Sequence, residues 1–208
     1  HPFGALAHAR IEAARSQLAE SIGAESHEFV FTSGATESNN LAILGAAQFY
    51  GRRRKHLITL TRGHRSVLAC FETLEKNGFE VNYLSPNADG LLDLEMLRSA
   101  IRRDTLLVSI MHVNNETGVI QPIEFIGDIV KEHGALFHVD AAQSAGKLPI
   151  HLAKLPVDLM SFSAHKNYGP KGIGALFVRH HPKRVRLSPI LYGGGQEGGL
   201  RSGTLCAH

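Results

Sequence analysis

The sequence predicts an α/β domain in which a mainly parallel β-sheet is covered by helices on both faces. Short apolar runs with strand composition alternate along the chain with longer segments of helical composition. Strands that are apolar along their whole length are typical of a parallel sheet buried on both faces. Small and polar residues directly follow several of these runs, and α/β sheets bind their ligands beyond the carboxyl ends of the strands.

The predicted elements follow one another in a regular order. Helices are predicted at residues 5–22, 37–50, 66–77, 92–101 and from Pro122 to 133. Strands are predicted at residues 29–31, 56–60, 79–84, 105–113, 135–139, 159–162 and 174–178. Gly23, Gly78 and Gly134 follow three of the helices, where glycine commonly ends a helix, and Pro122 suits a helix start. Residues 193–199 are predicted to be a flexible loop. Residues 1–208 contain no repeat or linker, so one domain is predicted.

The composition excludes several classes of protein. The 208 residues are 43% hydrophobic, enough for a sizeable core, but they contain no apolar stretch long enough to span a membrane. Two cysteines make no disulfide framework, which favours a reducing, cytoplasmic setting. The net charge is +3, and the basic runs at 52–55 and 183–186 lack interleaved aromatic residues. We therefore predict no membrane and no nucleic-acid partner.

One lysine is placed for chemistry. Residues 163–166 (SAHK) put Lys166 directly after the apolar run at 157–162. We expect Lys166 to be partly buried, a setting that favours the neutral amine, which forms an imine with an aldehyde. The alternative, a surface lysine in a glycine-rich loop, fits Lys171 better.

A carboxylate and a helix start complete the pattern. Asp140 follows the apolar strand at 135–139, and a strand-end acid together with a lysine is what pyridoxal phosphate needs. The lysine holds the aldehyde, and the acid keeps the pyridine nitrogen protonated. Residues 33–36 (SGAT) precede a helix, whose N–H groups and dipole suit a phosphate. The open alternatives are a carboxylate that caps the next turn and an ordinary helix cap.

Five segments, taken together, resemble the cysteine desulfurases of the NifS/IscS type, which are class V aminotransferase relatives. These segments are 32–40 (TSGATESNN), 112–118 (HVNNETG), 138–143 (HVDAAQ), 163–166 (SAHK) and 201–204 (RSGT). The resemblance covers essentially the whole chain, with the segments in the family's order. It implies the large, pyridoxal-phosphate-binding domain of a fold-type-I enzyme, without the opening segment and without the small C-terminal domain.

The resemblance also implies how the cofactor ring is held. Asp140 is expected at the ring nitrogen, and Gln143 and Asn115 at the phenolic oxygen. His64 is expected to stack on the ring and transfer a proton, because an imidazole titrates near neutrality. Lys166 is expected to hold the aldehyde and then to move the substrate's α proton, so Lys166 and His64 are the predicted catalytic residues.

The cofactor phosphate has its own expected ligands. The resemblance assigns Ala35 and Thr36, at the start of a helix, to the phosphate together with Ser163 and His165. Thr204 is similar to a threonine that contacts the phosphate of the other subunit, which implies a homodimer.

The implied reaction converts L-cysteine to L-alanine and leaves the sulfur as a persulfide on a protein cysteine. The sulfur then passes to an acceptor, such as an iron–sulfur scaffold or a thiolation carrier. The resemblance places the persulfide cysteine and a substrate-binding arginine beyond residue 208, so we expect this chain to bind the cofactor without turnover. Cys70 and Cys206 are interpreted as structural.

Other interpretations stay open at this point. A selenocysteine lyase or another class V enzyme would keep the fold and change the substrate. A non-catalytic remnant could dimerise or dock on a scaffold protein. A metal site at His180 and His181 is rejected, because neighbouring residues of a strand point to opposite faces, and most other histidines are predicted to be on the surface.

Overall fold

The computed structural model describes residues 2–206 and confirms the predicted α/β class. The helices are α1 (Pro2–Ser21), α2 (Ala35–Tyr50), α3 (Arg65–Lys76), α4 (Leu94–Ala100) and α5 (Ile123–Glu132). The strands are β1 (Phe29–Thr32), β2 (His56–Leu60), β3 (Glu80–Leu84), β4 (Thr105–Met111), β5 (Leu136–Asp140), β6 (Leu159–Ser163) and β7 (Gly174–Val178). Short 3-10 turns cover Ser26–Glu28, Ala164–Asn167 and Gln196–Gly199.

The seven strands form one sheet in the order β1-β7-β6-β5-β4-β2-β3. In sheet order, β6, β5, β4, β2 and β3 pair in parallel with one another. Strand β7 lies between β6 and β1 and is antiparallel to both. Because β1 is antiparallel to β7, it runs in the same direction as β6. Every strand except β7 therefore ends at the same side of the sheet, here called the carboxyl edge.

A hydrophobic core lies on each face of the sheet. Leu57 packs with α2 and α3, whereas its neighbour Ile58 packs with α1, α4 and α5 on the other face. This alternation follows from the two-residue period of a strand. In β5, Val139 belongs to the same core as Ile58, so His138 and Asp140 are directed to the face covered by α2 and α3.

Two helices begin at positions that differ from the predicted ones. Helix α2 begins at Ala35, before the predicted start at residue 37, so Ala35 and Thr36 belong to its first turn. Helix α4 begins only after Asp93, whose carboxylate accepts the N–H groups of Glu95 and Met96 at 2.8 and 3.2 Å. No helix within residues 2–206 has the length and apolar character needed to cross a bilayer.

Most of the described histidines are exposed or half-buried, as predicted, and three are exceptions. His56 and His138 are fully buried, and His112 is nearly so. His138 lies between Ser109 and Ser161, whose hydroxyls are 2.7 and 2.9 Å from its Nδ1 and Nε2 atoms. Burial lowers the pKa of His138 to about 3, so this ring is neutral and structural.

The glycine-rich segment at 193–199 is anchored, which differs from the flexible loop expected. The side chain of Glu197 is 3% exposed and forms a salt bridge with Arg15 of α1 at 2.6 Å. Its other carboxylate oxygen accepts the backbone N–H of Phe31 at 2.6 Å. A buried carboxylate with these partners ties the segment to both α1 and β1.

Gly127 allows α5 to approach the loop before β6, and this gives a stability prediction. A Cβ atom at this position would lie 2.5 Å from the carbonyl oxygen of Pro156 and 3.0 Å from the Phe137 ring. We expect Gly127→Ala to lower the free energy of unfolding by roughly 1–3 kcal/mol, as overpacked positions do. Urea denaturation of the purified chain measures this.

Gly4→Ala is the matched control, because Gly4 is also helical and has no atom within 4 Å of the position that a Cβ would take. Alanine there should raise the free energy of unfolding by about 0.5–1 kcal/mol. Equal effects of the two substitutions would contradict the close packing at Gly127.

Candidate active site

The start of α2 lies at the carboxyl edge, directly after β1. Gly34 has a φ of 152°, a backbone conformation that favours glycine. Gly174 of β7 packs against it, since a Cβ at 174 would lie 2.5 Å from the Cα of Gly34. The Oγ of Ser163 lies 3.9 Å from where a Cβ of Gly34 would stand. The first N–H groups of α2, including those of Ala35 and Thr36, therefore lie close to Ser163.

Ser163, which lies beside the start of α2, contacts His165. Ser163 is the buried last residue of β6, and its Oγ lies 3.0 Å from Nδ1 of His165. Helix N-termini carry unpaired N–H groups and a positive partial charge. Together with a hydroxyl and an imidazole, they suit a phosphate group.

Lys166 lies in the Ala164–Asn167 turn, next to His165, and it is exposed. The expectation that Lys166 is partly buried is therefore wrong. The apolar strand ends at Ser163, and the turn projects beyond the sheet edge, so the preceding apolar run does not cover the lysine. Its amine is accessible at the same edge as Ser163.

Asp140 is the buried charge of the site. It is 3% exposed, its Oδ1 accepts the N–H of Ala142 at 3.0 Å, and its Oδ2 accepts Nδ2 of Asn39 at 2.9 Å. Within residues 2–206 no salt bridge involves Asp140. Burial raises the pKa of Asp140, and the hydrogen bonds and the charge interaction with His64 oppose this only in part. The Ala142 contact shows that Asp140 also caps its turn.

His64 caps α3 and connects to Asp140 through two other side chains. Its Nδ1 accepts the backbone N–H of Ser66 at 3.1 Å and lies 2.7 Å from the Ser66 hydroxyl. That hydroxyl accepts Nδ2 of Asn39 at 2.9 Å, and Asn39 also contacts Asp140. Neither Asn39 nor Ser66 is among the site residues predicted from the sequence, although Asn39 lies in the 32–40 segment. The available signal was a pair of asparagines, Asn39 and Asn40, directly before the apolar run of α2.

The remaining predicted residues lie at different distances from this cluster. Gln143 is half-buried in the turn that follows Asp140, and Asn115 is exposed in the turn after β4. Thr204 lines a cavity of about 440 Å³ whose described lining includes none of the other predicted site residues. Arg201, which lines the same cavity, pairs with Glu37 in the first turn of α2 at 2.8 Å.

The residues present fit pyridoxal phosphate. The α2 N-terminus, Ser163 and His165 offer donors to an anion, and Lys166 offers an amine to an aldehyde. Asp140 is a buried carboxylate with no salt bridge in the described part of the chain, and a protonated ring nitrogen would complement it. Within residues 2–206 no group of three or more His, Cys, Asp or Glu residues is arranged to hold a metal ion.

The sheet and the position of the site at its carboxyl edge are those of a fold-type-I pyridoxal-phosphate domain. The solved structure of SspA in complex with cysteine superposes with a TM-score of 0.95 at 48% identity, over all of this chain and 59% of that one. DndA from Streptomyces lividans gives a TM-score of 0.94 at 46% identity, with the same coverage.

The sequence comparisons define the family. The pattern of the aminotransferase class-V family matches residues 1–204, so the chain belongs to this family of pyridoxal-phosphate-dependent enzymes. The cysteine desulfurase IscS of Mannheimia succiniciproducens is 62% identical over all 208 residues, which correspond to 51% of its own length. The chain thus spans about half the length of the curated relatives that it matches.

The buried carboxylate predicts how stability depends on pH. Because the folded-state pKa of Asp140 is raised, the folded chain binds more protons than the unfolded chain, and ionisation destabilises it as pH rises. A difference of one pKa unit between the folded and unfolded states corresponds to about 1.4 kcal/mol in the free energy of unfolding. We measure the free energy of unfolding of Asp140→Asn and wild type by urea titration without cofactor. The variant's value minus the wild-type value should be more positive at pH 7 than at pH 4, which means that the variant gains relative stability as pH rises.

Asp89→Asn, in an exposed turn, is the matched control for removing one carboxylate. If the difference in free energy of unfolding between Asp140→Asn and wild type does not change with pH, the raised pKa of the buried Asp140 carboxyl is contradicted.

Proposed function

We propose that this chain is the cofactor-binding part of a cysteine desulfurase, which converts L-cysteine to L-alanine and transfers the sulfur to a protein cysteine. The observation that carries the proposal is the buried Asp140 carboxylate at the same sheet edge as the α2 N-terminus and Lys166. The similarity to cysteine desulfurases over the whole chain supports this reaction. Cysteine in the solved SspA complex supports the choice of substrate.

Five side chains would act on the ring and the substrate. When bound, the cofactor supplies an electron sink for the substrate carbon. Asp140 would keep the ring nitrogen protonated, and Gln143 and Asn115 would hold the phenolic oxygen. Lys166 would hold the cofactor through its aldehyde and would then move the α proton of the substrate. His64 would lie against the ring and transfer a proton.

The phosphate would be held by the first N–H groups of α2, at Ala35 and Thr36, and by Ser163 and His165. These groups combine a helix N-terminus with a hydroxyl and an imidazole, which suit a phosphate group. We further propose a homodimer in which Thr204 contacts the phosphate bound by the other subunit. The similarity of residues 201–204 (RSGT) to the cysteine desulfurases supports this assignment.

The sulfur acceptor cysteine is proposed to lie outside these 208 residues. Cys70 is buried, and burial raises its pKa to about 12, so it is not a thiolate at neutral pH. Cys206 is exposed, which differs from the structural role predicted, but it follows Thr204 by two residues, where the resemblance places no nucleophile. The persulfide would then supply an iron–sulfur scaffold or another acceptor in the cytoplasm.

Covalent trapping tests the proposed function. The chain is incubated with pyridoxal phosphate and reduced with borohydride, and the modified peptide is identified by mass spectrometry. We expect one cofactor per chain, attached to Lys166, because its amine is accessible beside the phosphate donors. Lys166→Ala should lose the modification and the yellow colour.

Lys171→Ala is the matched control, because Lys171 is also exposed and lies only five positions further along the chain. It should keep full modification at Lys166. A wild-type chain that takes up no cofactor, or one modified equally at many lysines, would contradict the proposal.

A further inference from the structure

A continuous chain of hydrogen bonds links the buried carboxylate to the imidazole of His64. It runs from Asp140 Oδ2 to Asn39 Nδ2, from Asn39 Nδ2 to Ser66 Oγ, and from Ser66 Oγ to His64 Nδ1, over 2.9, 2.9 and 2.7 Å. The four residues come from β5, α2 and the start of α3. Asn39 is fully buried and Ser66 nearly so, which shields the middle of this series of hydrogen bonds from water.

Both ends of this chain impose the same direction on its hydrogen bonds. At one end Asp140 Oδ2 accepts from Asn39 Nδ2, and an ionised carboxylate can only accept, so Asn39 presents its NH₂ group there. At the other end the backbone N–H of Ser66 donates to His64 Nδ1, so this nitrogen carries no proton in the neutral ring. The Ser66 hydroxyl therefore accepts from Asn39 and donates to His64.

The orientation of the Asn39 amide supports this direction. Its Oδ1 atom is buried and has no hydrogen-bond partner among residues 2–206. Rotating the amide would give Oδ1 the place of Nδ2, directly against the Asp140 carboxylate, where two acceptors would repel each other. The amide thus keeps both of its N–H groups in use and leaves its oxygen unpaired.

We propose that Asn39 and Ser66 are positioning residues that couple Asp140 to His64 and fix the neutral imidazole with its proton on Nε2. The role of His64 toward the cofactor rests on the proposed function, whereas the position of its proton does not. A neutral His64 then presents a proton donor to the cofactor side, because its only acceptor nitrogen is occupied by Ser66. His64 would act first by donating a hydrogen bond through its Nε2–H group, and not by removing a proton.

Nitrogen NMR of the cofactor-free, 208-residue chain labelled with ¹⁵N-histidine tests this coupling. His64→Gln assigns the resonances. In wild type at a pH where the ring is neutral, we expect Nε2 to be protonated and Nδ1 to show the lowered chemical shift of a hydrogen-bonded acceptor. Ser66→Ala should raise the Nδ1 shift toward that of an acceptor without a hydroxyl donor, and Ser66→Thr should restore it.

The decisive variant is Asn39→Leu, which does not touch His64. It should move the Nδ1 resonance in the same direction as Ser66→Ala, and the double variant should move it no further than Ser66→Ala alone, because the two residues act in series. Asn40→Leu is the matched control, since the Asn40 amide donates to Thr36 and lies outside the chain of hydrogen bonds. If Asn39→Leu does not fold, Asn39→Ala gives the same comparison with less added bulk.

An unchanged Nδ1 resonance in the Asn39 variant, fully additive shifts, or a proton on Nδ1 of the neutral ring would each overturn the inference. The two proposals fail separately. Loss of lysine trapping with intact NMR coupling removes the proposed function and supports the chain of hydrogen bonds. Normal trapping without NMR coupling removes only the role of Asn39 and Ser66.

Discussion

The burial of one carboxylate organises this edge of the protein. Asp140 ends a central strand, lies on the face covered by α2 and α3, and receives two hydrogen bonds without a salt bridge in the described chain. An ionised group in such a position destabilises the fold unless a partner compensates its charge. The position is therefore better explained by a bound group with a positively charged nitrogen than by stability alone.

The helices that cover Asp140 also prepare the rest of the site. Helix α2 supplies Asn39 to the carboxylate from its second turn, and its N-terminus lies where the phosphate is proposed to bind. Glu37 in the same helix accepts the N–H and hydroxyl of Ser33 and pairs with Arg201 at 2.8 Å. The turn before α2 is thus fixed from both sides, and the segment before Thr204 is attached to it.

The apolar runs and the parallel order were sufficient to predict that Asp140 and Ser163 meet at one edge, because carboxyl ends of parallel strands coincide. The buried state of His138 could not be predicted, since its two serine partners lie on neighbouring strands and appear only once the register is known. Exposure of Lys166 depends on what packs over a turn, which periodicity does not report. Asn39 was missed because a polar residue near a helix start is usually solvated.

The central claim, that Asp140 holds the protonated ring nitrogen of the cofactor, is tested most directly by nitrogen NMR of ring-¹⁵N pyridoxal phosphate bound to the chain. We expect the chemical shift of a protonated pyridine nitrogen in wild type, and that of an unprotonated nitrogen in Asp140→Asn with the cofactor still bound. An unprotonated nitrogen in wild type, or the same protonated shift in both proteins, would contradict the account.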